Sequence, residues 1–122
     1  MNKVMVIDDE PFILMMIEDK LKSAGISVIV RRESGGALPI IKRERPDLLI
    51  LDWMMPEVSG IELCRMVKGD PETTHIPVFL LTAKGQESDR ETGLNCGATM
   101  YITKPFSPRA LLDSVKKTLA HE

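Results

Sequence analysis

The chain has 122 residues, a net charge of −2, and 43% apolar and 28% charged residues. This length suits a single domain that buries its own core, so we treat residues 1–122 as one domain. The mild charge argues against direct nucleic-acid binding by bulk electrostatics.

Cysteine spacing and hydropathy give the expected location of the chain. Cys64 and Cys96 match no metal-binding or redox spacing, which predicts buried thiols in a reducing compartment. No signal peptide opens the sequence, and no stretch approaches the roughly 20 apolar residues of a membrane span. We therefore expect a cytoplasmic protein without membrane contact.

Two hydrophobic periods alternate along the chain. Short apolar runs predict five strands, at residues 4–7, 28–30, 48–51, 78–81 and 100–102. Most are apolar at successive positions, as in strands with both faces buried. A segment of helical length follows each run. This alternation predicts an α/β fold, with a parallel sheet covered by helices on both faces.

The first two predicted helices differ in quality. An apolar arc of the first helix should face the core: Ile13, Leu14, Ile17, Leu21 and Ala24. On its other side Phe12, Met15 and Met16 are either scattered surface hydrophobes or a docking patch. The second helix should begin late, be kinked or be short, because Ser34-Gly35-Gly36 and Pro39 oppose a helix.

The later helices carry clearer boundary signals. Ser59 and Glu62 have the spacing of a capping box that opens the third helix. Ser107 followed by proline should open the fifth. The fourth, near residues 87–94, has almost no apolar stripe, so we expect it to pack weakly and to move. Gly97 should end it in a left-handed turn.

Polar residues stand where the predicted strands end. In an open parallel sheet, ligands bind beyond the carboxyl ends of the strands. Each residue alone is as readily a turn, cap or solvated residue, but together they predict a site. The residues are Asp8, Asp9 and Glu10 after the first strand, Asp52 after the third, Thr82 after the fourth, and Thr103 and Lys104 after the fifth.

Three clustered carboxylates limit the chemistry of such a site. Asp8, Asp9 and Asp52 would repel one another unless one is protonated or a cation neutralises them. Oxygen-only ligands suit Mg²⁺. A carboxylate beside Mg²⁺ can attack phosphorus and form an aspartyl phosphate. Lys104 and Thr82 could then offer a cation and a hydroxyl to the phosphoryl oxygens.

Four motifs carry a family resemblance: VIDDEP (6–11), LLILDWMMPEVSG (48–60), LLTA (80–83) and GATMYITKPF (97–106). In this order and spacing they resemble the receiver domains of two-component response regulators, over essentially the whole chain. The resemblance implies a flavodoxin-like, doubly wound (βα)5 fold with a five-stranded parallel sheet of order 2-1-3-4-5.

The resemblance also implies a phosphoacceptor and its cation. Asp52 resembles the residue that is phosphorylated. Asp9 and Asp52 resemble direct ligands of Mg²⁺, with Mn²⁺ as an alternative ion. The backbone carbonyl of Met54 resembles a further ligand, and Asp8 one that acts through water.

Further residues resemble the family's sensing and docking positions. Lys104 and Thr82 match the phosphate-sensing pair, and the backbone N–H of Ala83 matches another phosphoryl contact. Tyr101 matches an aromatic switch residue whose ring moves inward when Thr82 is drawn to the phosphoryl group. The Lys104–Pro105 bond resembles one that is cis. Positions that match kinase-docking or partner-docking residues are Phe12, Ile13, Met16 and Phe106.

The implied function is signalling rather than enzymatic turnover. A sensor histidine kinase or a histidine phosphotransfer protein would donate the phosphoryl group, and the domain would assist its own phosphorylation and autodephosphorylation. The modification would bias a pre-existing equilibrium in the fourth helix, fifth strand and fifth helix. The sequence does not name the effector or output domain. Thr99 and Met100 replace acids common in dimerising relatives, so we expect a monomer or a weak, phosphorylation-dependent dimer.

Other functions fit the sequence less well. A phosphatase with an aspartate nucleophile would carry an acid two residues after Asp52, where Met54 stands. A flavin or dinucleotide module would need glycines after the first strand, where acids stand. The remaining alternative is a degenerate receiver that acts as a phosphorylation-independent protein-binding module, against which the complete set of site residues argues.

Overall fold

The computed structural model of the chain describes residues 2–83 and 96–120. The fourth predicted helix, at 87–94, lies outside these residues. The described elements are β1 (Lys3–Ile7), α1 (Pro11–Ser23), β2 (Ser27–Arg31), α2 (Ala37–Glu44), β3 (Leu48–Asp52), α3 (Gly60–Gly69), β4 (Val78–Ala83), β5 (Met100–Lys104) and α4 (Pro108–Leu119). The label α4 thus belongs to the helix that the sequence predicts as the fifth. All five predicted strands are present, each one or two residues longer than predicted.

The strands form one parallel sheet in the order β2-β1-β3-β4-β5, which confirms the predicted flavodoxin-like fold. Successive side chains of a strand point to opposite faces, so the sheet contributes residues to a hydrophobic core on each face. One core packs α2 and α3 against residues such as Met5, Leu49 and Leu80. The other packs α1 and α4 against residues such as Val6, Ile50 and Phe79.

Burial follows the position of each strand in the sheet. All residues of β3 are buried, and so are most residues of β1 and β4. The strands β2 and β5 are only partly buried, because each has a neighbour on one side alone. The continuous apolar runs therefore predicted the middle of the sheet better than its edges.

Helix α2 is short and begins late, as predicted. It starts after Gly36, whose φ of 70° is left-handed, and it has 8 residues. Pro39 lies in its first turn, where the backbone N–H groups have no acceptor inside the helix. The missing N–H of Pro39 therefore costs α2 no internal hydrogen bond, and the helix is not interrupted.

The predicted starts of the third and fifth helices are confirmed. Ser59 and Glu62 form a complete capping box at the start of α3. The Ser107 hydroxyl accepts a hydrogen bond from the Ala110 N–H at 3.2 Å, at the start of α4. Gly97 has a left-handed φ of 94°, although the helix that it should end lies outside the described residues.

The apolar arc of α1 is confirmed, and so are the buried cysteines. Leu14, Ile17 and Leu21 are buried, and the other two arc residues pack partly against the core. The Cys64 thiol donates to the carbonyl of Cys96 at 3.4 Å, and burial raises the pKa of Cys64. Within residues 2–83 and 96–120, no helix has the length and apolar character needed to span a bilayer.

Gly60 lets α3 begin directly against the end of β3. Its N–H donates to the carbonyl of Trp53 at 2.9 Å. A Cβ at this position would overlap the backbone carbonyl of Asp52. Glycine at the end of LLILDWMMPEVSG is thus required by the close approach of two backbones.

Gly60→Ala should lower the free energy of unfolding by about 2 kcal/mol, because the new methyl group forces backbone atoms apart. Urea denaturation measures the change. Gly69→Ala is the matched control, since a Cβ at Gly69 meets nothing within 4 Å. That control should leave stability unchanged or raise it by up to about 1 kcal/mol. Equal stability of the two variants would contradict the close approach.

Candidate functional site

The carboxyl edge of the sheet brings together a lysine and two buried carboxylates. Asp8 follows β1 and is 0% exposed, and Asp52 ends β3 and is 6% exposed. Lys104 ends β5, and its Nζ lies 3.1 Å from Asp8 Oδ2 and 3.2 Å from Asp52 Oδ1. One ammonium group therefore bridges two carboxylates that come from distant parts of the sequence.

Asp9 completes a cluster of three carboxylates. Asp8, Asp9 and Asp52 each offer one oxygen atom, and these atoms lie within 4.8 Å of one another. The convergence predicted from the sequence is thus present. Hard oxygen donors at this mutual spacing fit Mg²⁺, which binds through one or two carboxylates and keeps several waters. The residues at this edge fit the cation that the sequence implies.

Burial makes the charged forms of the clustered carboxylates less favourable and so shifts their pKa values. Burial, and then the charge of Asp8, raise the pKa of Asp52 to about 7. Burial also raises the pKa of Asp8, although a hydrogen bond from the Glu10 N–H at 2.9 Å and the charge of Lys104 oppose this. Burial alone would lower the pKa of Lys104, but the two carboxylates raise it. The lysine therefore stays charged and offsets part of the repulsion.

The end of β4 supplies the hydroxyl and the backbone amide. Thr82 is buried next to this edge, and it pairs in register with Thr103 of β5. Ala83 is exposed and pairs in register with Lys104. An open pocket of about 190 Å³ lies over the site, lined by Asp9, Glu10, Asp52, Met54, Ala83 and Lys104.

The proposed switch residue contacts the neighbour of Asp52. The rings of Tyr101 and Trp53 stack with centroids 5.9 Å apart and planes 26° apart. Trp53 is buried and directly follows Asp52 in the chain. The position of Tyr101 on β5 is thereby tied to the end of β3. The Lys104–Pro105 bond is cis, as the resemblance implied.

The predicted docking residues differ in their exposure to solvent. Phe12 is 67% exposed, and Met15 beside it is also exposed. Ile13, Met16 and Phe106 are half-buried, and Ile13 and Phe106 pack partly against the core. The exposed apolar area of this patch therefore comes mainly from Phe12 and the methionines.

Sequence reasoning missed three contacts around the site. The Glu10 carboxylate lies 3.6 Å from Lys104 Nζ, which makes it a third acidic partner of the lysine. The Trp53–Tyr101 stack joins residues 48 positions apart. The hydroxyl of Ser34 bonds the loop after β3. Only Glu10 carried a signal, its place in the acidic run at the end of β1.

The raised pKa of Asp52 predicts a pH-dependent stability of the metal-free protein. Its value is 3.8 ordinarily and about 7 in the fold, so the native state binds the proton more tightly. The stabilisation is fully present below 3.8 and is lost as the pH rises through about 7. When a chelator keeps the protein free of metal, the unfolding free energy of Asp52→Asn near pH 8 should be higher than that of wild type by about 1–3 kcal/mol. The difference should shrink at lower pH.

Urea denaturation at several pH values measures this difference. Asp19→Asn serves as the control, because Asp19 is exposed on α1 and the variant should be as stable as wild type near pH 8. If wild type is more stable than Asp52→Asn near pH 8, the ionised Asp52 carboxylate does not destabilise the metal-free fold, and the prediction is wrong.

Comparisons with known proteins agree with this fold. The phosphate regulon transcriptional regulatory protein PhoB of Pseudomonas aeruginosa is 45% identical over 116 residues, which are 95% of this chain and 51% of that protein. The alkaline phosphatase synthesis transcriptional regulatory protein PhoP of Bacillus subtilis is 39% identical over 97% of this chain and 48% of that protein. The chain thus spans about half the length of these curated relatives.

Solved structures match over nearly their full length. A putative response regulator from Chloroflexus aurantiacus superposes with a TM-score of 0.91 and 35% identity, covering 98% of both chains. The chemotaxis response regulator CheY4 of Vibrio cholerae superposes with a TM-score of 0.89 and 30% identity, covering 97% of this chain and 98% of the other. The family profile described as response regulator receiver domain matches residues 4–116. The chain therefore belongs to the response regulator receiver domains of two-component systems.

Proposed function

We propose that Asp52 is the phosphoacceptor, and that its phosphorylation by a sensor histidine kinase or a histidine phosphotransfer protein controls an effector or output domain. The observation that carries the proposal is the position of the buried Asp52 carboxylate. It lies 3.2 Å from the Lys104 ammonium and within the cluster formed with Asp8 and Asp9. A strand-capping aspartate would need neither the lysine nor the second buried acid.

The proposed transfer is a simple displacement at phosphorus. A carboxylate oxygen of Asp52 forms the new O–P bond, and the P–N bond to the donor histidine breaks. The bonding electrons go to the imidazole nitrogen, which takes a proton from solvent. The reaction needs the ionised carboxylate, so the raised pKa of Asp52 has to fall when the site is loaded.

In the proposal, Asp9, Asp52 and the Met54 carbonyl would hold Mg²⁺ directly, and Asp8 would hold it through water. Mn²⁺ satisfies the same donors. The bound ion screens the negative charge that the carboxylates and the incoming phosphoryl group bring together. The oxygen atoms of the three acids, within 4.8 Å of one another, support this assignment.

Lys104, Thr82 and Ala83 then read the phosphoryl group. The Lys104 ammonium already lies at the Asp52 carboxylate, from where it can bind a phosphoryl oxygen in place of carboxylate oxygens. The Thr82 hydroxyl and the Ala83 N–H are proposed to donate to the remaining oxygens. These groups bind the phosphorylated state better than the free state, and this difference drives the switch.

Tyr101 is the proposed carrier of the signal away from the site. Movement of Thr82 toward the phosphoryl group opens space for the Tyr101 ring, whose stacking on Trp53 would change with it. Members of the family turn such changes into output at the face near β5, and we propose the same face here. The relatives PhoB and PhoP are transcriptional regulatory proteins, so we propose control of transcription as the output, with no direct nucleic-acid contact by this domain.

Incubation with a small phosphodonor and Mg²⁺ should add one phosphoryl group per chain. Asp52→Asn should abolish the addition, because Asp52 is the buried carboxylate that lies beside Lys104 and within the cluster formed with Asp8 and Asp9. Intact mass spectrometry measures it, and Asp19→Asn, with its exposed acid on α1, should label as wild type does. Undiminished labelling of Asp52→Asn would overturn the assignment and favour the phosphorylation-independent module.

The exposed patch of α1 predicts a separation of donor types. Phe12→Ala with Met16→Ala should slow transfer from the histidine kinase that phosphorylates wild type fastest by about tenfold or more, since buried interface anchors commonly cost over 1 kcal/mol each. Labelling by a small phosphodonor should stay unchanged. Met66→Ala removes an exposed methionine from α3 and is the matched control. A parallel loss with both donors would make the patch structural.

A further inference from the structure

The buried hydroxyl of Ser34 joins two loops at the carboxyl edge of the sheet. Ser34 lies between β2 and α2 and is only 3% exposed. Its hydroxyl donates to the carbonyl of Pro56 at 2.9 Å and accepts from the N–H of Val58 at 3.2 Å. Both partners belong to the loop that runs from Asp52 to α3. The side chain is therefore fully used in holding that loop.

The segment held by Ser34 is a strained turn. The N–H of Val58 also donates to the carbonyl of Pro56 at 2.9 Å, which closes a turn of three residues. Glu57 at its centre has a φ of 71°, a value rare for a residue with a Cβ. A γ-turn with positive φ is uncommon and strained. Such a conformation persists only where neighbouring groups hold it.

A second contact between the same loops shows that their approach is close. The Glu57 carboxylate lies so near Gly35 that a Cβ there would overlap it. The Arg31 guanidinium in turn donates to the Gly35 carbonyl at 3.0 Å, which fixes the loop that carries Ser34. The loop after β2 thus contacts the turn at Glu57 through both Ser34 and Gly35.

The supported loop carries Met54, whose carbonyl is a proposed ligand of the cation. At its far end, the Gly60 N–H bonds the Trp53 carbonyl at 2.9 Å. Between these residues, Met55 and Val58 pack partly against the core, and Ser34 adds two hydrogen bonds at the turn. Because Met54 lies three residues before Glu57 in the same loop, the conformation that Ser34 helps to maintain contributes to the direction of the Met54 carbonyl.

We propose that Ser34 is a positioning residue of the cation site: its hydroxyl holds the strained turn at Glu57 and so aims the Met54 carbonyl toward Asp9 and Asp52. This inference rests on the proposed function, in which those residues bind Mg²⁺. Groups that orient a metal ligand without touching the metal commonly alter affinity about tenfold or more.

Ser34→Ala should weaken Mg²⁺ binding about three- to tenfold. Nuclear magnetic resonance of the isotope-labelled full chain measures the affinity through the amide shifts of residues 52–60. Thr73→Val is the matched control, because Thr73 is 1% exposed and its hydroxyl donates to the Val67 carbonyl at 2.7 Å, before β4 and so at the opposite edge of the sheet. Its removal should leave the Mg²⁺ affinity unchanged.

Two further measurements separate positioning from general destabilisation. In metal-free protein, the Val58 N–H should exchange with solvent at least about tenfold faster in Ser34→Ala than in wild type, while amides of β4 keep their rates. Adding Glu57→Gly should restore Mg²⁺ affinity to within about twofold of wild type, because glycine adopts positive φ without strain. Glu57→Gly adds no contact at position 34. Recovery of the Mg²⁺ affinity would therefore not follow if Ser34 contributed only to the overall stability of the fold.

The outcomes distinguish the inference from the function on which it rests. If wild type shows no Mg²⁺-dependent shifts at Asp9 and Asp52, the proposed cation site itself fails. If wild type binds and Ser34→Ala binds equally well, only the role of Ser34 is overturned. An equal loss in Thr73→Val, or no recovery with Glu57→Gly, also overturns it.

Discussion

The contact on which the rest of the site depends is the ammonium of Lys104 between two buried carboxylates. Asp8 and Asp52 come from neighbouring strands, and both lose solvent at the sheet's edge. Without a cation between them, their repulsion would favour proton uptake or separation of β1 from β3. Lys104 reaches them from β5, on the far side of β4. The fold thus places a positive charge beside Asp52, the proposed phosphoacceptor.

Much of this arrangement follows from local sequence. The apolar run ending in Asp52 predicted a central strand, and the boundaries at Ser59 and Ser107 followed from capping chemistry. Parallel topology then placed the acids and Lys104 at one edge, because the strands all end there. The order of the strands was predicted from the family resemblance and not from periodicity, because a short apolar run does not indicate which strands it will pair with in the sheet.

The parts that could not be predicted are contacts between segments far apart in the chain. Nothing in Ser34-Gly35-Gly36 indicates that the serine bonds the loop after β3, 22 positions later in the sequence. From the sequence, Trp53 is predicted only to be a core residue. Its stacking on Tyr101 becomes visible only when the structure places that residue of β5 against it. Such contacts depend on how loops fold over the sheet, and hydrophobic patterning is silent about loops.

The position of β5 has a mechanical consequence. Asp52 lies on β3, which is paired along both sides, whereas Tyr101 and Lys104 lie on a strand paired only with β4. A displacement of β3 would disturb two ladders of hydrogen bonds, and one of β5 disturbs a single ladder. The proposed phosphoacceptor is thus anchored at the centre of the sheet, and the residues proposed to respond to it lie on an edge strand. The strand that carries Tyr101 and Lys104 is therefore easier to displace than the strand that carries Asp52.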